Sequence, residues 1–200
     1  MSQTSHSNAL AELALPKEGA LRLATQAALV IGGTLLLTVA AKAKVTLGVV
    51  DLNLGTLAVM GIGLAFGWRL ALATVLAWLV EGAAGLPVFQ STPEKGIGIA
   101  YMLGSTGGYL AGYVILAAVA GWAADRGLDR NPLTLFAALL AADIVMMAMG
   151  YGWLASLIGA EKAWMFGVAP FIVPELVKVA LAAALAPAVW TLLRRFGFGK

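Results

Sequence analysis

Apolar residues run through this chain in stretches of about twenty, broken by short clusters of charge, glycine and proline. That length is what an α-helix needs to cross the hydrocarbon core of a bilayer. The first stretch runs from Leu21 to Ala41. The second and third lie within 54–86 and divide at Phe66-Gly67-Trp68-Arg69, where glycine and a charge interrupt an otherwise apolar sequence. The fourth spans about Ile99 to Ala124, the fifth Pro132 to Ile158, and the sixth Pro170 to Leu193. The pattern predicts an all-α fold, an integral membrane bundle of six transmembrane helices. A mostly polar N-terminal tail over 1–20 is expected to precede one membrane domain over 21–196. There is no internal repeat or inverted symmetry of the kind that marks many secondary transporters.

Composition sharpens this. The chain is 61% hydrophobic and 12% charged, where an ordinary soluble domain has roughly a quarter of its residues charged. Its mean hydropathy is +0.91. These values predict a multi-pass integral membrane protein, surrounded by lipid. The 24 glycines suit membrane helices, whose backbones approach closely through small residues. With no cysteine, disulfides, thiolate metal sites and cysteine nucleophiles are excluded. The single histidine, His6, sits in the polar start Met1–Asn8, so no metal site is expected. That start also lacks a basic segment leading directly into an apolar core, so a cleaved signal peptide is not expected. The net charge of +3 is spread without a Lys/Arg block, which argues against nucleic acid as a partner. No Gly-x-x-x-x-Gly-Lys-Ser/Thr loop occurs, so any coupling to ATP must come from other chains. A membrane enzyme would need a nucleophile–base set or clustered carboxylates, and the acids here are scattered singly.

Charge also sets the orientation. The N-terminus, the turn between the second and third spans, the loop after the fourth and the C-terminus hold Lys17, Arg22, Arg69, Arg126, Arg130, Arg194, Arg195 and Lys200. The other three loops hold Lys42, Lys44, Lys95 and Lys162. The bias puts both termini in the cytoplasm, with Trp68, Trp122 and Trp190 at the inner interface.

The most unusual feature is a pair of charges, Glu175 and Lys178, in the last span. Fifteen uncharged residues then follow, up to Arg194. An ionised group at the centre of a membrane helix costs about 2.5–3.5 kcal/mol on insertion scales, and positions i and i+3 share a face. The orientation gathers further polar positions at the same outer level: Asp51 and Asn53 in the first loop, Glu81 near the end of the third span, Gly104-Ser-Thr-Gly-Gly-Tyr109 in the fourth, and Asp143 with Trp153 in the fifth. The cytoplasmic halves carry almost none. Such a distribution describes a cup open outward and closed below, since a channel would need polar lining throughout. Glu175 and Lys178 are the leading ligand contacts. Gly107 and Gly108 offer backbone N–H groups at a helix start, where an anion is favoured. Tyr109, Phe89 and Trp153 are candidate apolar walls, with Asp143, Glu81 and Asn53 as further polar contacts. On the first span, Ala24, Ala28 and Gly32 form a small-residue stripe suited to close helix contact, with a partner subunit or within the bundle.

Three motifs in register, Gly85-Leu-Pro-Val-Phe89, Leu103-Gly-Ser-Thr-Gly-Gly-Tyr-Leu-Ala-Gly112 and Pro170-Phe-Ile-Val-Pro-Glu-Leu-Val-Lys178, resemble the BioY family. These are the biotin-specific substrate-binding subunits, or S-components, of energy-coupling-factor (ECF) transporters. The resemblance implies a six-helix bundle of S-component type that captures biotin as its transported ligand and uses no cofactor. It also implies a transmembrane coupling subunit and two cytoplasmic ATPases as partners, with Ala24 and Ala28 on the contact. The residues themselves leave solitary, homo-oligomeric and ATPase-coupled assemblies open, as well as an S-component or stand-alone carrier for another small vitamin-like carboxylate. The chain departs from the family pattern at Glu175, where Asp is usual, at Asp51-Leu-Asn53-Leu-Gly55, where many members read Pro-Val-Thr-Leu-Gln, and at Ser105, where Pro is common.

Overall fold

The computed structural model describes residues 9–13, 15–16 and 18–195. His6, Lys17 and Lys200 lie outside the described residues. Among the described residues, five apolar segments are long enough to cross a membrane: Ala20–Lys42, Gly55–Ala83, Gly107–Asp125, Pro132–Ile158 and Ala160–Leu193. They correspond to helix α1 (Ala20–Lys42), α2 (Gly55–Ala83), α4 (Gly107–Asp125), α5 (Pro132–Ile158) and the pair α6 (Ala160–Gly167) and α7 (Ile172–Arg195). A short α3 (Gly98–Met102) precedes α4, and a two-stranded hairpin, β1 (Lys44–Val45) with β2 (Leu52–Asn53), follows α1.

The five segments make six passes, because α2 turns back on itself. Its 29 residues leave helical geometry at Gly67, with φ 74° and ψ 168°. A straight helix of that length would separate residues 55 and 78 by about 35 Å, at 1.5 Å per residue. Instead a Cβ on Gly55 would stand 2.8 Å from the Tyr113 hydroxyl, while Trp78 stacks on the Tyr113 ring with centroids 6.2 Å apart. Both arms of α2 therefore flank α4, and the expected break at 66–69 is a true reversal. At the turn, the Trp68 N–H donates to Asp125 Oδ2 at 3.1 Å. Gly121 of α4 lies so close that a Cβ there would sit 2.4 Å from Trp68 Cα.

The fifth span starts and stops where expected, because Asn131 caps it. Its side chain accepts from the Leu133 and Thr134 N–H groups, with Pro132 in the first turn. Two boundaries differ. The fourth span was expected from about Ile99, yet the chain breaks at 103–106 and α4 begins at Gly107. Here the Gly107 N–H turns back to Gly104 O, and Ser105 Oγ donates to Val49 O at 3.0 Å. Between the fifth and sixth spans stands the unforeseen α6, whose Trp164 meets Tyr151 edge-on at 6.4 Å. Within the expected tail, a 3-10 turn at Leu10–Leu13 buries Ala9 and Ala11. Glu12 takes two hydrogen bonds from Arg22, at 2.8 and 3.0 Å.

The α2–α4 contact yields a test. Gly121→Ala pushes a methyl into backbone atoms of the α2 turn, and overpacking of this kind typically costs about 1–3 kcal/mol. Thermal unfolding in detergent should show a lower Tm; an unchanged Tm would contradict this contact.

Candidate functional site

The end of α1, the first turn of α2 and Trp78 of its second arm, the first two turns of α4 and α7, the middle of α5, α3, and the two loops at this end of the bundle enclose a cavity of about 540 Å³, its open mouth included. Its apolar lining includes Val50, Trp78, Leu110, Met146, Met147 and Phe171. Its polar lining divides into two neighbourhoods.

The first is built on α7. Lys178 Nζ donates to Glu175 Oε1 at 2.7 Å, and the Thr56 hydroxyl donates to the same oxygen at 3.3 Å. Glu175 and Lys178 are 5% and 7% exposed. The pair thus neutralises itself, as a structural pair would, but it also faces open space and is incomplete. Among the described residues, Glu175 Oε2 has no hydrogen-bond partner, and a buried unpaired acceptor costs about 1–3 kcal/mol, more when charged. Lys178 carries three donors, only one of which is committed to a hydrogen bond within the described residues. Asp143 of α5, also buried with Oδ1 unpartnered, stands close enough to feel both charges.

The second neighbourhood was marked in the sequence only by Asn53 and by the 104–109 motif that contains Thr106; Tyr101 and Gln90 were not marked. The hydroxyls of Tyr101, on α3, and Thr106, just ahead of α4, both line the cavity. Both are buried and neither makes a well-formed hydrogen bond among the described residues, although the Tyr101 phenol stands near Thr106 and Ser91. Burial pushes the Tyr101 phenol above its ordinary value of 10.0, so it stays a protonated donor at neutral pH. Asn53 and Gln90 complete this side. Asn53 Nδ2 donates to Gln90 Oε1, and Asn53 Oδ1 accepts from the Gly55 N–H at 2.6 Å.

Of the residues singled out in the sequence, Glu175, Lys178, Asn53 and Tyr109 line this cavity. Tyr109 is fixed by its hydroxyl, which donates to Gly167 O at 2.7 Å. Phe89 stands one layer behind. It is fully buried, edge-on to Trp78 at 4.9 Å and stacked on Tyr101 at 5.2 Å, so it braces two rings that do line the cavity. Asp143 is adjacent but not part of the lining. Glu81 sits half-buried near the end of α2 and is not part of the lining either. Gly107, Gly108 and Trp153 belong to the α4–α5 contact. A Cβ on Gly108 would stand 2.5 Å from Trp153 Cβ, Trp153 Nε1 donates to Gly104 O at 2.8 Å, and all three line a separate groove. The Gly107 N–H, already given to Gly104 O, is not free for an anion. Ala24, Ala28 and Gly32 are exposed on α1, whose other face, with Gly33, Leu37 and Ala41, is buried. They therefore make no close contact inside the bundle.

The cavity mouth is tied shut on one side by Asp51. Its buried carboxylate accepts from the Leu47 N–H at 3.2 Å, from Ser91 Oγ at 2.6 Å and from Lys95 Nζ at 3.3 Å. Lys44 stands 3.9 Å away. Burial opposes ionisation, but the Ser91 and Leu47 hydrogen bonds and the Lys95 charge outweigh it and hold the carboxyl below its ordinary 3.8. With the Asn53–Gln90 hydrogen bond and that of Lys95 Nζ to Gly48 O, this side chain joins the 43–54 loop to the 90–95 turn.

Six passes around a partly polar cavity at one end define a membrane-embedded bundle built to hold a small polar ligand. The sequence model of the BioY family matches residues 7–195, and the chain belongs to that family. It is 36% identical to the "Probable biotin transporter BioY" of Pyrococcus horikoshii over 151 residues, 76% of this chain and 87% of that protein. To the "Biotin transporter BioY" of Rhodobacter capsulatus it is likewise 36% identical, over 68% of this chain and 77% of that one. The fold matches a crystal structure of the S-component for biotin from an ECF-type ABC transporter with a TM-score of 0.74, covering 87% of this chain and 95% of that one at 20% identity. The chain is a multi-pass membrane protein with the all-α architecture expected from its hydropathy.

Asp51 makes a pH-dependent prediction. A depressed carboxyl stabilises the fold above its unfolded value and loses that contribution as pH falls through the folded value. Corrected for the intrinsic rate at each pH, hydrogen exchange in 43–54 should therefore be slow at neutral pH and rise once pH drops below 3.8. In Asp51→Asn it should be faster at neutral pH and less sensitive to acid; equal exchange in the two proteins at neutral pH would refute the tie.

Proposed function

We propose that this chain captures biotin from outside the cell, as the membrane-embedded substrate-binding subunit of an ECF-type vitamin transporter. The observation that carries this reading is the set of unpartnered buried polar atoms on one cavity, Glu175 Oε2 with the hydroxyls of Tyr101 and Thr106. Biotin offers a ureido group with two N–H donors and one carbonyl, an apolar sulfur ring, and a carboxylate tail. Only the ureido N–H groups can donate to Glu175 Oε2, so the ureido group sits against α7, with a spare Lys178 N–H for its carbonyl. The carboxylate would be repelled by Glu175. It accepts from the neutral donors Tyr101 and Thr106 instead. Trp78, Tyr109 and Tyr113, which line the cavity, wall the sulfur ring.

Transport needs partners. The chain has no phosphate-binding loop of its own, so a transmembrane coupling subunit with two cytoplasmic ATPases supplies the energy. The exposed Ala24, Ala28 and Gly32 stripe is the face of α1 on which a coupling helix can approach closely.

Equilibrium dialysis of purified protein against biotin tests the reading. Truncating one partner of a buried charged pair typically costs about 2–5 kcal/mol, so Glu175→Ala and Lys178→Ala should each weaken binding at least tenfold. Tyr101→Phe and Thr106→Val each remove one neutral hydrogen bond, about 0.5–1.5 kcal/mol, and should weaken biotin more than biotin methyl ester. Binding of biotin within threefold of wild type in both α7 variants would overturn the site. A different vitamin found by mass spectrometry in the freshly purified protein would overturn the substrate.

A further inference from the structure

At the end of the bundle opposite the cavity, three arginines lie over three tryptophans. Arg69 is 5.3 Å from the Trp68 ring centroid, Arg126 5.2 Å from that of Trp122, and Arg130 5.4 Å from that of Trp190. The α2 turn, the end of α4 and the 128–130 turn supply them, and these elements meet. Trp68 N–H donates to Asp125, next to Arg126, and Trp190 Nε1 donates to Asp129 Oδ2, next to Arg130. All three arginines are exposed. Among the described residues none of the three guanidiniums makes a hydrogen bond or ion pair. The two acids that could neutralise them are used otherwise. Asp129 is buried against Trp190, and Asp125 holds the α2 turn.

We propose that the three Arg–Trp pairs form a binding surface for the phosphate of anionic phospholipids in the adjoining leaflet. Each guanidinium carbon lies within cation–π reach of its ring, and its N–H fork, uncommitted among the described residues, suits bidentate donation to a phosphate. Depth selects a lipid over an acidic protein. Trp68 and Trp122 are 41% and 44% exposed at the ends of membrane spans, where indole rings sit at headgroup level. The Lys/Arg excess at this end would place it on the cytoplasmic side, whose anionic lipids attract basic groups. The cavity's polar groups lie at the opposite end, so the surface is independent of biotin binding.

Native mass spectrometry of the full chain, offered equal amounts of phosphatidylglycerol and phosphatidylcholine, tests this. Wild type should retain phosphatidylglycerol preferentially, and each arginine replaced by glutamine should lower its affinity about fivefold. Arg69→Lys/Arg126→Lys/Arg130→Lys keeps the charge but lacks the bidentate fork, and should fall between wild type and the triple-glutamine protein. Trp68→Leu/Trp122→Leu, with the arginines intact, should weaken it as well. Monodispersity and Tm show that each variant is folded. No preference in wild type, undiminished preference in the triple-glutamine protein, or wild-type preference in the triple-lysine protein would each overturn the proposal. The first result would leave an acidic protein as the occupant.

Discussion

An acid and an amine buried three residues apart in an apolar helix are the constraint around which this structure is organised. Taken out of water, Glu175 and Lys178 lose solvation that their mutual attraction does not reliably repay. At 2.7 Å they satisfy one another in part, yet Oε2 remains bare. A fold selected for stability alone would place leucine at both positions. The surrounding architecture makes sense as what lets the pair persist. The hairpin of α2 brings Thr56 to Glu175, α5 presents Asp143 alongside, and the loops close over a cavity rather than filling it.

The reversal at Gly67 makes this arrangement possible. Two short arms in place of one long helix put both Gly55 and Trp78 beside Tyr113 of α4, so the cavity gains a polar first turn from one arm and an aromatic wall from the other. The turn needs a residue tolerating φ 74° and a partner helix without a side chain at Gly121. The sequence supplies both. The loops do the rest, since Asp51 ties the 43–54 segment down by charge-assisted hydrogen bonds without occupying the ligand space.

Much of this could be read from residue order. Helix boundaries follow hydropathy where a cap is explicit, as at Asn131–Pro132, and where glycine interrupts an apolar run, as at Gly67. Glu175 and Lys178 stand out because charge in an apolar helix has few uses. Less was legible where chain geometry decides which way a side chain faces. Tyr101 and Thr106 read as residues of one continuous fourth span until the break at 103–106 sets both at the cavity. Gly107 and Gly108 look like an anion cradle, but their lack of side chains serves the close approach of α5, which Trp153 also seals. Asp51 reads as a departure from the family pattern and acts as a loop anchor. These roles depend on contacts between residues some forty or more apart, which no local spacing encodes.

If the pair is kept for its guest rather than for the fold, stability and binding must separate when both charges are removed together. Glu175→Leu/Lys178→Leu, compared with wild type by Tm in detergent with and without biotin, measures this directly. The account predicts a ligand-free Tm at or above that of wild type and no biotin-induced rise. A double variant that melts well below wild type, yet is still stabilised by biotin, would contradict it.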